Sequence, residues 1–467
     1  MNSKSKHSYR ALFFAFVFLF AATVSTKADQ TDEYVRAQMR ERHVQGAAIA
    51  VVKNGKIVKA EGYGLANVEL NVPATKETVF EIGSVSKQIT AAAIMLLVEE
   101  GKVNTDEKIS KYLPTAPEAW KNVTVRNLLT HTSGIKSYTG LSGFELTKRL
   151  KRDEFIKAIG AYPLEFEPGE RWNYSNTGYN LLGFIIESVT GKSYWDFVQT
   201  RIFKPLGMNQ TANRDPQFIV PNRADGYEWE NGKFVGRDYD LTDVFSAGAI
   251  VSTVLDLAKW DAALRGGTFL KQTSKTQIWT PVVFNNGKPY PYGFGWNVTE
   301  FREHRLLSHG GQTAGFAANI SRYVDDNLTV IVLTNSGEQG LGGVIARGIA
   351  KIYLPSISLR AMKEQSGADA KLTDLFQNAL RSYLEDKLSD SFADKTRAAL
   401  ATERARLNAK RIASFGTIKN FVLVGSETAD KSRIYRYKAE TASRMFLWRF
   451  ELDENGKITA MNLEEEE

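Results

Sequence analysis

Ser84-Val85-Ser86-Lys87 opens an amphipathic stretch that runs to Glu99. Residues three apart share one face of a helix, so this spacing sets a hydroxyl and an amine one turn apart. A serine hydroxyl is a poor nucleophile near neutral pH unless a base accepts its proton as attack proceeds. Lysine can serve as that base once burial or neighbouring positive charge lowers its pKa from about 10.4. A serine at a helix N-terminus also meets free backbone N–H groups and the positive end of the dipole, both of which favour a developing oxyanion. Taken alone, the four residues read as readily as a helix cap followed by a solvated lysine.

Two later segments give the pair its weight. Tyr174-Ser175-Asn176 supplies a phenol which, beside an ammonium, can have its pKa lowered from about 10 and pass a proton to a leaving group. Asn176 can hold the lysine and a substrate amide by hydrogen bonds. On their own, Asn173, Ser175 and Asn176 are turn formers and Tyr174 a core aromatic. His309-Gly310-Gly311 lies in an expected edge strand, where glycine lets a substrate approach the backbone. The N–H of Gln312 just beyond it would pair with that of Ser84 as an oxyanion hole, and His309 would face the substrate as a donor or orienting group. The competing reading of His309 is a structural histidine at a strand end.

The combined pattern resembles the serine β-lactamase and penicillin-binding-protein superfamily, in the branch of class C β-lactamases, D-aminopeptidases and β-lactamase-like esterases. The resemblance rests on Phe80-Glu81-Ile82-Gly83-Ser84-Val85-Ser86-Lys87, Leu128-Leu129-Thr130-His131-Thr132-Ser133-Gly134, Tyr174-Ser175-Asn176-Thr177-Gly178-Tyr179 and Pro205-Leu206-Gly207-Met208, and covers roughly Asp29 to Pro355. It implies an acyl-enzyme mechanism with Ser84 as nucleophile, Lys87 and Tyr174 as the proton-transfer pair, and Asn176 in a positioning role; with His309, Gly311 and Gln312 from the residue reading, Asn176 completes the expected substrate-binding and oxyanion group. His131 belongs to a recurrent loop and is read as structural. Many penicillin-recognising relatives begin the third motif with lysine, a fixed cation for the substrate carboxylate, and His309 stands there instead. A neutral imidazole is a weaker anion anchor, so esters, small amides or D-amino-acid peptides are favoured over penicillins. The alternatives are a true β-lactamase or D,D-peptidase acting on cell-wall peptides, and a catalytically silent sensing or scaffolding module.

Composition bounds these readings. The chain has 467 residues, 43% hydrophobic and 11% aromatic, enough for a large core and more than one domain. Lys4, Lys6 and Arg10 precede the apolar run Ala11–Ala22, and Thr26-Lys27-Ala28 offers small residues for cleavage, the anatomy of a secretory signal over residues 1–28. An apolar run of about a dozen residues is short of the roughly 20 that a spanning helix needs. Loss of that segment lowers the formal charge from +7 to +3, so nucleic acid is not an expected partner. The chain has no cysteine, hence neither disulfides nor thiolate metal sites. No His-Glu-x-x-His arrangement suggests zinc, no Gly-x-Ser-x-Gly elbow suggests an α/β-hydrolase, and no cofactor is expected. The expected partner is a small-molecule or peptide substrate, and the expected destination is periplasmic or extracellular.

The expected fold class is α+β: a β-lactamase-like antiparallel sheet flanked by helices, with a helical subdomain, over residues 29–355, and a small C-terminal α+β unit over 356–467. Asn54-Gly55 predicts a hairpin between Ala47–Lys53 and Lys56–Tyr63. Leu306–His309, Gly315–Tyr323 and Leu328–Thr334 predict further strands, and Gly342–Tyr353 a closing helix. Helices are expected at Ser84–Glu99, Val125–Leu129, Tyr179–Thr190 and Tyr194–Ile202, with another starting at Thr253. Beyond Pro355, helices at 370–388 and 394–413 precede four strands, the last at Lys457–Leu463. Glu464–Glu467 reads as a solvated acidic end.

Overall fold

A computed structural model of the protein describes residues 29–141, 151–237, 239–429 and 432–466, so the signal-like segment 1–28 and most of the loop 140–153 lie outside the described residues. Asn54 and Gly55 both take positive φ, 51° and 75°, as a tight hairpin turn requires, and join β1 (Gly46–Lys53) to β2 (Lys56–Asn67). With β3 (Val72–Pro73), β4 (Asn297–Phe301), β5 (His304–Thr313), β6 (Phe316–Tyr323) and β7 (Leu328–Thr334) they form one antiparallel sheet in the order β4-β5-β6-β7-β1-β2-β3. The two ends of the larger region's sequence thus meet at the β1–β7 pair, in register from Ala47 opposite Thr334 to Lys53 opposite Leu328.

The unbroken apolar run of β1 follows from cover on both faces. Ala47, Ile49 and Val51 enter one core with α1 (Gln30–Glu41) and the closing helix, Leu341–Tyr353. Ala48, Ala50 and Val52 enter the other with the inserted helical region. Strand alternation sends successive residues to opposite sides, so a strand with both sides covered must be apolar throughout. The sequence reading missed α1, which Asp29 caps by accepting from the N–H groups of Thr31 and Asp32.

Three boundaries differ from expectation for local reasons. Ser84 sits in a 3₁₀ turn, Gly83–Val85, and the α-helix proper, α2 (Ser86–Glu99), starts two residues later. The helix expected from Tyr179 begins at Asn176 as α3 (Asn176–Thr190), because the Ser175 side chain caps it by accepting from Gly178 N–H. The stretch 394–413 splits into Asp394–Leu400 and Glu403–Ala413, where Thr402 caps the second piece.

The C-terminal unit carries a four-stranded antiparallel sheet, Asn420–Ala429, Ser432–Glu440, Met445–Leu452 and Ile458–Glu466. It has its own core, in which Phe376 and Leu380 of helix Ala370–Leu384 pack on Tyr437, Trp448 and Phe450. Its acidic end is not free: Glu464, Glu465 and Glu466 belong to the last strand and pair with cations. Glu465 is almost buried between Arg302 and Lys351 of the larger unit, while Glu466 meets Arg411 at 2.7 Å and Glu464 meets Arg436 at 3.0 Å. These partners lie far away in sequence, which is why the charge run looked solvated. No helix among the described residues is long and apolar enough to cross a membrane.

Candidate active site

The site forms where the turn bearing Ser84, the start of α3 and strand β5 converge. Lys87 is fully buried on the first turn of α2. Its Nζ lies 3.0 Å from Ser84 Oγ, 2.7 Å from Asn176 Oδ1 and 2.8 Å from the carbonyl oxygen of Ala247 in the short helix Phe245–Gly248. None of these contacts is a carboxylate, and burial alone holds the amine well below its ordinary pKa. A neutral amine has two N–H bonds and one lone pair. Asn176 Oδ1 and Ala247 O only accept, so they take the two N–H donors and leave the lone pair to the Ser84 hydroxyl.

Tyr174 reaches the same centre. Its ring centroid lies 4.7 Å from Lys87 Nζ, and its phenol feels the Ser84 side chain, which acts to lower its pKa. Here the electrostatic expectation needs correction: burial pushes the phenol's pKa up, outweighing the effect of Ser84. The neighbouring amine offers no compensating positive charge, because it is itself driven toward neutrality. Burial thus drives both groups of the pair toward their uncharged forms.

The sequence-derived role of His309 also changes. Strand alternation in β5 turns His309 inward, 5% exposed, while Gly310 and Gln312 face outward. Its Nδ1 lies 2.6 Å from the carbonyl of Gly310, and its Nε2 lies 3.0 Å from Tyr292 Oη. Tyr292 Oη in turn lies 3.2 Å from His131 Nε2, whose Nδ1 accepts from Ser175 N–H at 3.1 Å. These contacts fix the protons. A carbonyl only accepts, so His309 carries its proton on Nδ1; Ser175 N–H donates, so His131 carries its proton on Nε2. The chain runs from His131 through the Tyr292 hydroxyl to His309 Nε2. Burial, the largest cause, brings His309 down to about 4 and holds His131 well below the ordinary imidazole value. Both His309 nitrogens are committed inside the protein, so this imidazole supplies neither a substrate-facing donor nor a cation.

Gly311 and Gln312 border Ser84 closely. A Cβ on Gly311 would stand 1.9 Å from the Ile82 carbonyl oxygen, and one on Gly83, where φ is +49°, would stand 2.6 Å from Gln312 N. Only glycine permits this approach. The Gln312 side chain turns away and donates to the Gly337 carbonyl at 2.7 Å, leaving its main chain beside the Ser84 turn. Two contributors were missed in the sequence. Tyr292 lies in the aromatic–glycine run Tyr292-Gly293-Phe294-Gly295-Trp296, a signal that could have marked it. Ala247 contributes only a carbonyl, which leaves no side-chain signature.

With this geometry in view, residues 31–353 match the family model described as Beta-lactamase. The chain belongs to the β-lactamase family. It shares the fold and the serine-hydrolase lineage of that family. It is 34% identical over 317 residues to penicillin-binding protein 4* of Bacillus subtilis (strain 168), spanning 64% of this chain and 70% of that one. The octameric penicillin-binding protein homologue from Pyrococcus abyssi is similar over 91% of this chain and 96% of its own, with 25% identity and a TM-score of 0.62. The D-amino acid amidase from Ochrobactrum anthropi SV3, complexed with D-phenylalanine, is 27% identical over 70% of this chain and 99% of its own, with a TM-score of 0.61. The second similarity, over 91% of this chain, is long enough to run beyond residue 353.

Proposed function

We propose that the protein is an exported serine hydrolase that works through an acyl-enzyme on Ser84, with esters, small amides or D-amino-acid peptides as its substrates. The observation that carries this reading is the Lys87 amine, buried without a counter-ion and turned toward Ser84 Oγ at 3.0 Å. As Oγ attacks the substrate carbonyl, its proton passes to Lys87, and the N–H groups of Ser84 and Gln312 receive the oxyanion. The Tyr174 phenol gives its proton to the departing alcohol or amine and regains one from Lys87. Water then hydrolyses the ester at Ser84 and restores the hydroxyl. The buried, neutral His309 supports the substrate ranking, since a penicillin carboxylate meets no fixed cation at that position. The similarity to a D-amino acid amidase supports it from a second direction.

The test labels wild type and Ser84→Ala with a fluorophosphonate and a fluorescent penicillin, then compares turnover of p-nitrophenyl esters, D-alanyl peptides and nitrocefin. Wild type alone should form the adduct, and the favoured ester or amide should exceed nitrocefin by about 100-fold in kcat/KM, a margin within the reach of substrate discrimination. Nitrocefin turnover matching the best ester would replace this ranking with a true β-lactamase. Absence of any adduct on folded wild type would replace it with a silent binding module.

A further inference from the structure

Glu81 has no part in the chemistry above, yet it is a carboxylate 3% exposed, three residues before the nucleophile. It lies on the two-residue strand Phe80–Glu81, which pairs with Ile250–Ser252. Its Oε1 accepts from Arg214 Nε at 3.1 Å, and its Oε2 accepts from Thr313 Oγ1 at 2.6 Å. The second is a short hydroxyl–carboxyl contact, and together with the Arg214 guanidinium it opposes the rise that burial imposes on the Glu81 pKa. Thr313 is the residue after Gln312 and the last of β5. The bond therefore joins the two backbone segments that carry the oxyanion donors, just outside those donors on each side.

The glycines and the carboxylate have complementary effects. Gly83 and Gly311 remove the side chains that would hold the segments apart, but glycine imposes no separation of its own. An oxyanion hole works only when its donors sit about 2.7–3.1 Å from the oxygen that becomes charged, so the separation must be set by something. We infer that Glu81 and Thr313 are positioning residues, a tie across the oxyanion hole that fixes the distance between the Ser84 and Gln312 N–H groups. The inference rests on the Ser84 reading. Arg214 keeps the tie's carboxylate in place from the side opposite Thr313, and its own N–H donates to the Ala249 carbonyl at 2.7 Å, anchoring it to the segment that follows Ala247.

The experiment removes one hydroxyl. Thr313→Val keeps shape and volume while deleting the donor, and Thr313→Ser restores it. Each is measured for p-nitrophenyl butyrate turnover, for affinity to phenylboronic acid, whose boronate oxygen occupies the oxyanion position, and for melting temperature. Thr313→Val should lose about 10- to 100-fold in kcat and comparably in boronate affinity, below the loss expected for deleting a donor outright, with KM held within about 2-fold. Thr313→Ser should recover most of both. Glu81→Gln, which keeps the length of the side chain but not its charge, provides the second variant and should lose about 3-fold or more in kcat. Wild-type kcat and boronate affinity in Thr313→Val, or in Glu81→Gln should the valine variant not fold, would overturn the tie while leaving the Ser84 reading intact. A folded wild type that binds no boronate and forms no adduct would overturn both.

Discussion

Two buried cations in this protein are handled in opposite ways. Arg322 on β6 is 5% exposed and donates from Nε to Asp261 Oδ1 at 2.7 Å. Asp261, itself fully buried, also receives Arg265 at 2.7 Å and Thr329 Oγ1 at 2.9 Å, and the Arg322 guanidinium lies over the rings of Trp279 and Trp296. Lys87 is as deeply buried but meets only a hydroxyl, an amide oxygen and a peptide carbonyl. A cation with a buried counter-ion is held charged and ties elements together, whereas one without it is driven toward the neutral form a base requires. The difference lies in the partner, since burial is shared.

The largest effect should come from Lys87→Ala. With the base gone, the acylation rate measured by stopped-flow ester hydrolysis should fall by about 1,000-fold, with the fold retained by circular dichroism. Near-normal turnover would erase the contrast by making Lys87 a structural residue like Arg322. The counterpart is Asp261→Asn, which leaves two arginines facing a neutral amide. Urea denaturation should show a loss of about 3–5 kcal/mol, while kcat per folded molecule stays within about 2-fold. A large fall in kcat at unchanged stability would tie the Arg322 cluster to the chemistry.

The smallest effect concerns pH. In the unfolded chain His309 binds a proton near 6.5, but in the folded protein only near 4. Between those values the unfolded state holds more protons, so stability falls as pH drops from about 6.5 to about 4 and this contribution levels off below. His131 acts in the same direction. His309→Gln should remove up to one proton's worth of slope from that window, read as the difference between wild-type and variant urea midpoints against pH. An unchanged slope would mean that the imidazole titrates normally and faces solvent, returning it to the substrate-facing role expected from sequence.

How legible these features were depended on where their causes lie. The Asn54-Gly55 hairpin and the Ser84–Lys87 pair were readable because turn chemistry and helical spacing act over a few residues. The cap at Ser175 was equally local, yet the turn formers around it masked a helix start. His309 defeated the reading because one imidazole can donate, accept or carry charge, and the choice was made by Tyr292 and Gly310. The acidic end failed for the same reason, with Arg302 and Lys351 arriving from another unit.

The order of motifs thus determined the family, the antiparallel sheet assembled from both ends of the region, and the identity of the groups that gather at the cleft. Tertiary structure alone decided their states: an amine without a counter-ion, a phenol pushed up rather than down, two imidazoles with assigned protons, and a carboxylate bonded between the segments that carry Ser84 and Gln312. Protonation and spacing depend on desolvation and on partners brought from distant segments, and neither is encoded in any short window of sequence.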